Sequence, residues 1–296
     1  MTLNEQPPTD DRPHALEAIG LSKRYRRGTW ALRGISLGIE AGRITALVGP
    51  NAAGKSTLLK TWVGFERPTG GLVRVQGLDP WRSRSAALER MAYLPQTPAL
   101  YRDLTIEDHL AIVTHYRPTF EGPTARKWLA RLGISPTTRP RELSGGQVAQ
   151  VGLAIALGSH VPILLLDEPL ASLDPLARHE FLEVLREAAA TDHSTVVLSS
   201  HIVGDIAQVC DWIIVLGAGL VSLDSSVTDA LARHYVVQSN GVRDGRDHLI
   251  GPLPDGRVVM ARNGHERDGA ATLEEIVLAY LAQGRFAADR ATALAP

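Results

Sequence analysis

The stretch Ile44-Thr45-Ala46-Leu47-Val48-Gly49-Pro50-Asn51-Ala52-Ala53-Gly54-Lys55-Ser56-Thr57 decides the fold of this chain. It begins with a continuous apolar run, which predicts a strand covered on both faces. A glycine-rich loop follows, and the pattern from Ser56 to Val63 predicts a helix. Strand, loop and helix in this order are the context that a phosphate-binding loop requires.

The chemistry of this loop suits a nucleotide with bound Mg²⁺. Gly49 and Gly54 permit consecutive backbone N–H groups to surround the β- and γ-phosphates. Lys55 would neutralise the phosphates, and the hydroxyl of Ser56 would face Mg²⁺. The sequence therefore predicts a phosphate site at residues 49–57.

A second phosphate-binding pattern lies about ninety residues further on, at Leu143-Ser144-Gly145-Gly146-Gln147. A hydroxyl and two glycines precede a predicted helix from Val148 to Leu157, where backbone N–H groups and the helix dipole favour an anion. Two such elements far apart in one chain indicate a nucleotide that is shared between two subunits.

An acidic pair follows the apolar run Ile163 to Leu166. At the carboxyl end of a strand beside the phosphate loop, Asp167 can hold Mg²⁺ through water. Glu168 can polarise a water molecule against the γ-phosphate, a role that is typically worth roughly 10²–10⁴ in rate.

The remaining patterns predict an α/β fold with three parts. Alternating residues at Ile35–Ile39 and Leu72–Gln76 predict an antiparallel flank. Further buried strands at Thr195–Leu198 and Trp212–Leu216 predict a doubly wound core, with a helix from Leu176 to Ala189 between the strands at 163 and 195. A helical pattern from Leu104 to Leu132 predicts an inserted helical lobe, which carries Trp128, Leu129 and Leu132 on one face.

The sequence changes character after about Tyr235. Turn signals at 239–241 and 251–254 flank short strands such as Arg257 to Ala261. Thr272-Leu273-Glu274-Glu275 is a capping-box pattern that opens an amphipathic helix to about Leu281. We interpret residues 236–284 as a small C-terminal α+β appendage, with tails at 1–13 and 285–296.

Residues 14–235 resemble the ATP-binding cassette (ABC) family, whose signature is LSGGQ. The resemblance implies a P-loop NTPase core with an antiparallel β subdomain and a helical subdomain at about 97–157. It also implies that ATP and Mg²⁺ bind to residues that can be grouped by role. The expected catalytic residues are Glu168, His201, Gln96 and Lys55, and the expected Mg²⁺ ligands are Ser56, Gln96 and Asp167. The expected nucleotide contacts are Tyr25, Gly49, Pro50, Asn51, Ala52, Ala53, Gly54, Lys55, Ser56, Thr57, Ser144, Gly145, Gly146, Gln147 and Asp174.

Four of these residues follow from the family motifs alone. Tyr25 matches the aromatic residue that stacks on adenine, and Gln96 matches the loop glutamine that reaches Mg²⁺ and the attacking water. Asp174, in Ser172-Leu173-Asp174, matches the loop that crosses the dimer interface. His201 matches the switch histidine that contacts the γ-phosphate.

The chain departs from the family pattern at two places. Ala52 stands where the family usually has a glycine, so we expect a slightly different loop that still binds phosphate. Basic residues commonly follow the signature in the family. Here those positions are Val148, Ala149, Gln150 and Ile155, which puts the dimer contacts and the rate in question.

The composition limits the kinds of partner. A net charge of −1 over 296 residues gives no basic field for nucleic acid, and Cys210 alone excludes a disulfide framework. Residues 1–13 lack the apolar core of a secretory signal. Ser159, His160 and Pro162 interrupt the longest apolar stretch, so we expect a soluble chain without a membrane span.

We therefore expect a cytoplasmic ATPase subunit, peripheral on the inner face of the membrane, that works with a separate transmembrane permease. A second ABC ATPase chain, identical or a close homologue, would complete each nucleotide site. Tyr93-Leu94-Pro95-Gln96, the segment after His201 and the segment 272–281 are similar to bacterial exporter ATPases of the ABC-2 type. The alternatives are an importer ATPase and a soluble ABC ATPase acting on a cytosolic assembly.

Overall fold

The computed structural model of the protein describes residues 14–26, 28–239, 248–261 and 269–293. The predicted tail at 1–13 and the turn residues Asn240 and Gly241 lie outside these ranges. In chain order the first elements are β1 (His14–Arg24), β2 (Trp30–Glu40), β3 (Ile44–Val48), α1 (Lys55–Trp62), β4 (Gly70–Val75), α2 (Arg84–Glu89), β5 (Met91–Leu94), α3 (Ile106–Tyr116), α4 (Gly122–Arg131) and α5 (Gly145–Gly158). The remaining elements are β6 (Ile163–Leu166), α6 (Pro175–Asp192), β7 (Thr195–Ser200), α7 (Val203–Ile206), β8 (Trp212–Gly217), β9 (Leu220–Ser226), α8 (Val227–Arg233), β10 (His234–Gln238), β11 (His248–Pro252), β12 (Arg257–Ala261) and α9 (Leu273–Ala293).

The central sheet has the strand order β5-β6-β7-β3-β8-β9, and only β9 runs antiparallel to its neighbour. Every residue of β3, β6 and β7 is buried, as continuous apolar runs in a two-faced sheet require. Because these three strands are parallel, their carboxyl ends meet at one edge of the sheet. The predicted α/β core is confirmed, and that edge is where a ligand is expected.

A second sheet, with the order β2-β1-β4, forms the predicted antiparallel flank. Its inner side chains share one apolar cluster with α1 and the central sheet, and Trp62 of α1 is completely buried in that cluster. The sequence patterns identified β2 and β4 but missed β1, because its apolar and polar residues alternate irregularly around bulges in its pairing with β2.

The helical lobe consists of α3, α4 and α5. A 3-10 turn, Pro140–Glu142, precedes the signature residues and α5. Trp128, Leu129 and Leu132 are buried, as their predicted common face requires. The single helical pattern from Leu104 to Leu132 corresponds to two helices. Arg117 follows α3 in an extended conformation, and Pro123 lies in the first turn of α4.

The C-terminal appendage is a three-stranded sheet of order β10-β12-β11 with α9 packed against it. The predicted capping box is present, since Thr272 Oγ1 accepts from the N–H of Glu275 at 3.2 Å and the Glu275 carboxylate accepts from the N–H of Thr272 at 2.8 Å. Gly251 permits close packing, because a Cβ there would lie 2.3 Å from the carbonyl oxygen of Ala279. Ile276, Val277 and Ala279 belong to the same apolar core as the helical lobe and the central sheet.

Helix α9 differs from the prediction at its carboxyl end. It runs to Ala293, well past the expected end at about Leu281, so the predicted tail boundary at 285 falls inside the helix. Residues 282–293 contain no proline and are rich in alanine, the strongest helix former. The apolar periodicity is lost in this segment, but the helix does not end there, because the residues themselves favour the helical conformation.

Candidate functional site

The phosphate loop joins β3 to α1 and depends on glycine at two positions. A Cβ at Gly49 would lie 2.3 Å from the carbonyl oxygen of Leu216. Gly54 has φ +109°, and a Cβ there would lie 2.5 Å from the carbonyl oxygen of Ala31. No other residue fits either position without moving the backbone.

Ala52 lies in the left-handed region of the backbone, with φ 64°. This conformation costs a non-glycine residue roughly 1–2 kcal/mol. The substitution at this position therefore leaves the loop turned as a glycine would turn it and gives the loop a small strain.

Lys55 begins α1 and its side chain is buried. Its ammonium donates to the carbonyl oxygens of Gly49 at 2.6 Å and Pro50 at 3.2 Å. It also forms an ion pair with Glu168, where Nζ lies 3.0 Å from Oε1. The Lys55 ammonium therefore contacts both the phosphate loop and Glu168.

Asp167 follows β6 at the carboxyl edge of the central sheet and accepts hydrogen bonds from three hydroxyl groups. Ser56 donates to Oδ1 at 2.8 Å, Ser199 donates to the same oxygen at 2.9 Å, and Tyr93 donates to Oδ2 at 3.2 Å. Burial and the neighbouring Asp167 charge raise the pKa of the Tyr93 phenol, so Tyr93 keeps its proton and remains a donor. These contacts orient the carboxylate toward the loop.

Glu168 is buried between the ammonium of Lys55 and the imidazole of His201. Its Oε1 faces Lys55, and its Oε2 lies 2.8 Å from Nδ1 of His201, whose side chain is 43% exposed. Glu168 also has a left-handed backbone, with φ 49°, and its N–H donates to Ser199 Oγ at 2.8 Å. The residue is therefore held at three atoms.

The donor set near the phosphate loop fits Mg²⁺. Ser56 Oγ and Asp167 Oδ1 lie 2.8 Å apart. Mg²⁺ prefers such oxygen ligands, and in nucleotide sites it takes one or two from the protein and the others from phosphate and water. Within the described ranges no group of three or more His, Cys, Asp or Glu side chains forms a metal cage. Ser56 Oγ and Asp167 Oδ1 thus supply the number of protein oxygens that Mg²⁺ takes in a nucleotide site.

A cleft of about 470 Å³ lies over the phosphate loop. Its lining includes Tyr25, Trp30, Gln96 and Glu168 in addition to residues 51–57. Tyr25 is partly exposed and its hydroxyl lies 3.2 Å from Thr57 Oγ1. The aromatic and amide groups predicted from family motifs thus meet the phosphate loop in one cavity.

The signature segment lies elsewhere in the chain. Residues 144–147 are not among the residues described as lining the cleft. Ser144 caps α5, accepting from the N–H of Gln147 at 3.2 Å, while the Gln147 amide oxygen accepts from the N–H of Ser144 at 3.0 Å. Ser144 and Gly145 are exposed. One chain by itself therefore does not bring the two phosphate-binding elements together.

The signature packs against the loop that contains Asp174. A Cβ at Gly146 would lie 2.9 Å from both the carbonyl oxygen of Ser172 and Cδ2 of Leu173. Asp174 itself is exposed and caps α6 by accepting from the N–H of Ala177 at 3.0 Å. The two segments expected at a dimer interface are thus in contact on one surface.

The four residues that depart from the family pattern after the signature differ in their burial. Ala149 and Gln150 are buried in the lobe, and Ile155 packs against the main core. Of the departing residues, only Val148 and Ile155 are partly exposed.

The sequence patterns missed two residues at this site, Ser199 and the hydroxyl of Tyr93. Ser199 lies near the carboxyl end of β7 and is completely buried, a position from which the sequence pattern predicts no functional role. The one available signal was a polar residue at the carboxyl end of a buried parallel strand, two residues before His201.

The site can be compared with known proteins. Residues 32–171 match the family model described as ABC transporter. The chain is 32% identical over 252 residues to a phosphonates import ATP-binding protein of Thiobacillus denitrificans, an alignment that covers 78% of this chain and 95% of that protein.

Two solved structures show the same similarity in three dimensions. An ATP-binding subunit of an ABC transporter aligns with a TM-score of 0.66 and 28% identity, covering 74% of this chain and 92% of that one. A dimeric structure of a bacterial ABC transporter cassette aligns with a TM-score of 0.64 and 26% identity, covering 72% of this chain and 98% of that one.

Proposed function

The chain belongs to the ABC transporter family of ATP-binding proteins, and on this premise we propose that it is the ATP-hydrolysing subunit of a membrane exporter. The observation that carries the catalytic part is the convergence of Lys55, Asp167 and Glu168 on the phosphate loop. The export direction rests on the resemblance of residues 93–105, 201–211 and 272–281 to ABC-2 exporter ATPases.

The proposed roles follow from the contacts of each side chain. Lys55 turns from Glu168 to the β- and γ-phosphates, and the N–H groups of residues 49–57 hold the same phosphates. Ser56 and Asp167, together with Gln96, would hold Mg²⁺, which would neutralise the charge of the phosphates. Glu168 orients and polarises the attacking water, and His201 holds the Glu168 carboxylate and reaches the γ-phosphate.

We assign the second half of each site to another chain. Ser144 and Gly145 are exposed at the N-terminus of α5, and Asp174 is exposed beside them. A helix N-terminus with free N–H groups favours an anion. Two chains that close head to tail would bring Ser144, Gly145, Gly146 and Gln147 of one to the cleft of the other. One of the related structures is a dimeric cassette, which supports an assembly of two chains.

A transmembrane partner is part of the proposal. No helix in the described part of the chain combines the length and the apolar character needed to cross a bilayer. The pathway would then come from a separate permease on whose cytoplasmic face this subunit docks, near the Gln96 loop and the helical lobe. The soluble reading, in which the ATPase acts on a cytosolic assembly, needs no such partner.

An importer ATPase is the second candidate, and it is favoured by one specific observation. The relative from Thiobacillus denitrificans is named as an importer and is similar over most of its length. When ATP hydrolysis is blocked, the solute of an exporter collects in the cytoplasm, whereas the solute of an importer stays in the medium.

A Glu168→Gln variant tests the proposal in two steps. Purified from detergent-solubilised membranes with ATP and Mg²⁺, it should bring with it a protein with several membrane spans, and recovery of none would favour the soluble reading. Cells that carry only this variant should then accumulate a solute in the cytoplasm. Depletion of a solute from the cells with its retention in the medium would establish import instead.

A further inference from the structure

Ser199 contacts both members of the acidic pair through one oxygen atom. Its Oγ donates to Asp167 Oδ1 at 2.9 Å and accepts from the N–H of Glu168 at 2.8 Å. The residue is completely buried in β7, the strand adjacent to β6 in the central sheet. No other hydroxyl described in the structure contacts both Asp167 and Glu168.

The backbone of Glu168 needs such an anchor. With φ 49° it occupies the left-handed region, which is strained for a non-glycine residue. The bond from its N–H to Ser199 fixes the turn that follows β6. Because the side chain starts from that turn, the same bond sets where the carboxylate lies between Lys55 and His201.

The orientation of Asp167 depends on the same atom. Ser56 and Ser199 both donate to Oδ1, and Tyr93 donates to Oδ2. If Ser56 turned its oxygen toward Mg²⁺, Ser199 and Tyr93 would still donate to Oδ1 and Oδ2 of Asp167.

We propose that Ser199 is a positioning residue that holds Asp167 for the metal and Glu168 for the attacking water in one fixed geometry. This proposal rests on the ATPase function proposed above. It gives β7, the strand that leads into His201, a direct part in the site, since movement of this strand would shift both carboxylates together.

The test compares four full-length variants with the wild-type chain. Ser199→Ala removes the hydroxyl, Ser199→Cys keeps a similar volume with a weaker donor, and Ser199→Thr retains the hydroxyl. Ser194→Ala is the matched control, because Ser194 is also buried but donates to the carbonyl oxygen of Val161, away from the acidic pair.

Two measurements separate positioning from folding. The affinity for a fluorescent ATP analogue is measured with Mg²⁺ and with EDTA, and the kcat and KM of ATP hydrolysis are measured in parallel. A hydrogen bond to a charged group contributes enough to change an equilibrium by about tenfold or more. Ser199→Ala should lose about tenfold of the Mg²⁺-dependent gain in affinity and keep its affinity in EDTA. Its kcat should fall by about a hundredfold, with Ser199→Cys between it and the wild type.

Rescue by Ser199→Thr and normal behaviour of Ser194→Ala would support the proposal. It would be overturned if Ser199→Ala and Ser199→Cys both kept the Mg²⁺-dependent gain and the kcat, while Glu168→Gln was inactive. Equal losses in Ser194→Ala and Ser199→Ala would also overturn it, since they would reflect packing alone. Full activity of Glu168→Gln would instead reject the proposed function.

Discussion

The ammonium of Lys55 lies 3.0 Å from Oε1 of Glu168, and both side chains are at least 90% buried. The residue expected to bind phosphate and the residue expected to activate water therefore neutralise each other in this structure. Under the proposed function, ATP would separate them, because its phosphates would compete for the same cation. The ion pair would then link nucleotide binding to the release of the Glu168 carboxylate.

The first prediction concerns the Glu168→Gln variant. Its rate of ATP hydrolysis should fall by roughly 10²–10⁴, because an amide cannot polarise the attacking water. Its affinity for ATP should be equal to or higher than that of the wild type, since Lys55 no longer has to leave a carboxylate. Titration with labelled ATP and a phosphate-release assay measure the two effects.

Glu183→Gln is the matched control for that variant. Glu183 is an exposed glutamate of α6 that lies 3.5 Å from His179, and its loss changes the net charge equally. Hydrolysis should stay at the wild-type rate in this control. An active Glu168→Gln chain would remove Glu168 from the catalytic role.

The second prediction concerns the stability of the ion pair. Lys55→Met leaves the buried Glu168 carboxylate without its cation, which should lower the free energy of unfolding by about 3 kcal/mol. Adding Glu168→Gln to Lys55→Met should restore most of that loss. Urea denaturation of the two single variants and the double variant gives the coupling free energy. Additive effects of the two substitutions would show that the pair does not stabilise the fold.

The third prediction concerns the contact between the signature and the loop at 172–174. A Cβ at Gly146 would lie 2.9 Å from Leu173 and from the carbonyl oxygen of Ser172, so Gly146→Ala should displace one segment from the other. The variant should bind ATP like the wild type but lose ATP-dependent dimerisation and hydrolysis. Analytical ultracentrifugation with and without ATP measures the first loss.

Gly204→Ala provides the comparison, because a Cβ at Gly204 meets nothing within 4 Å. This helical substitution should leave dimerisation intact. If Gly146→Ala dimerised as well as Gly204→Ala, the close packing of the signature would have no part in assembly.

The fourth prediction concerns pH and the C-terminal appendage. The Nδ1–H of His234 donates to the carbonyl oxygen of Ala230 at 2.7 Å, and Nε2 of the neutral ring accepts from the hydroxyl of Tyr280 at 3.1 Å. Burial lowers the pKa of His234, with the Arg233 charge acting in the same direction and the bond to Ala230 opposing it. Below pH 6.5 the unfolded chain takes up a proton that the folded chain resists.

The contribution of neutral His234 is therefore complete above pH 6.5 and decreases as the pH falls below that value. The free energy of unfolding should fall more steeply with decreasing pH in the wild type than in His234→Gln, which does not titrate. Denaturation curves between pH 7.5 and pH 5 test this. Parallel pH profiles for the two chains would show that protonation of His234 does not affect stability.

The sequence predicted those parts of the structure that local patterns determine. Continuous apolar runs located β3, β6 and β7, and the glycine spacing located the loop before Lys55. Strand polarity then placed Asp167 and His201 at one edge, because the carboxyl ends of parallel strands meet there.

The sequence could not predict contacts that depend on how strands lie side by side. The pairing of Lys55 with Glu168 and the bonds of Ser199 join residues more than thirty positions apart, with no shared motif. Strand β1 was missed because bulges disturb its alternation, and α9 was predicted too short because propensity rather than periodicity extends it. The residue assignments at the nucleotide site and the domain boundaries remain predictions.

The central claim is that each nucleotide site needs two chains, and a mixing experiment tests it most directly. Lys55→Ala destroys the phosphate loop, and Ser144→Arg blocks the signature surface. Each variant alone should be inactive. In a head-to-tail dimer, one mixed site would pair an intact loop with an intact signature.

An equal mixture of the two variants should therefore recover about a quarter of the wild-type rate of ATP hydrolysis, because about half of the dimers are mixed and each has one intact site of two. The measurement is the steady-state rate of phosphate release after the two chains are combined with ATP and Mg²⁺. Recovery near that value is the result we predict. A mixture as inactive as its components would contradict the shared site.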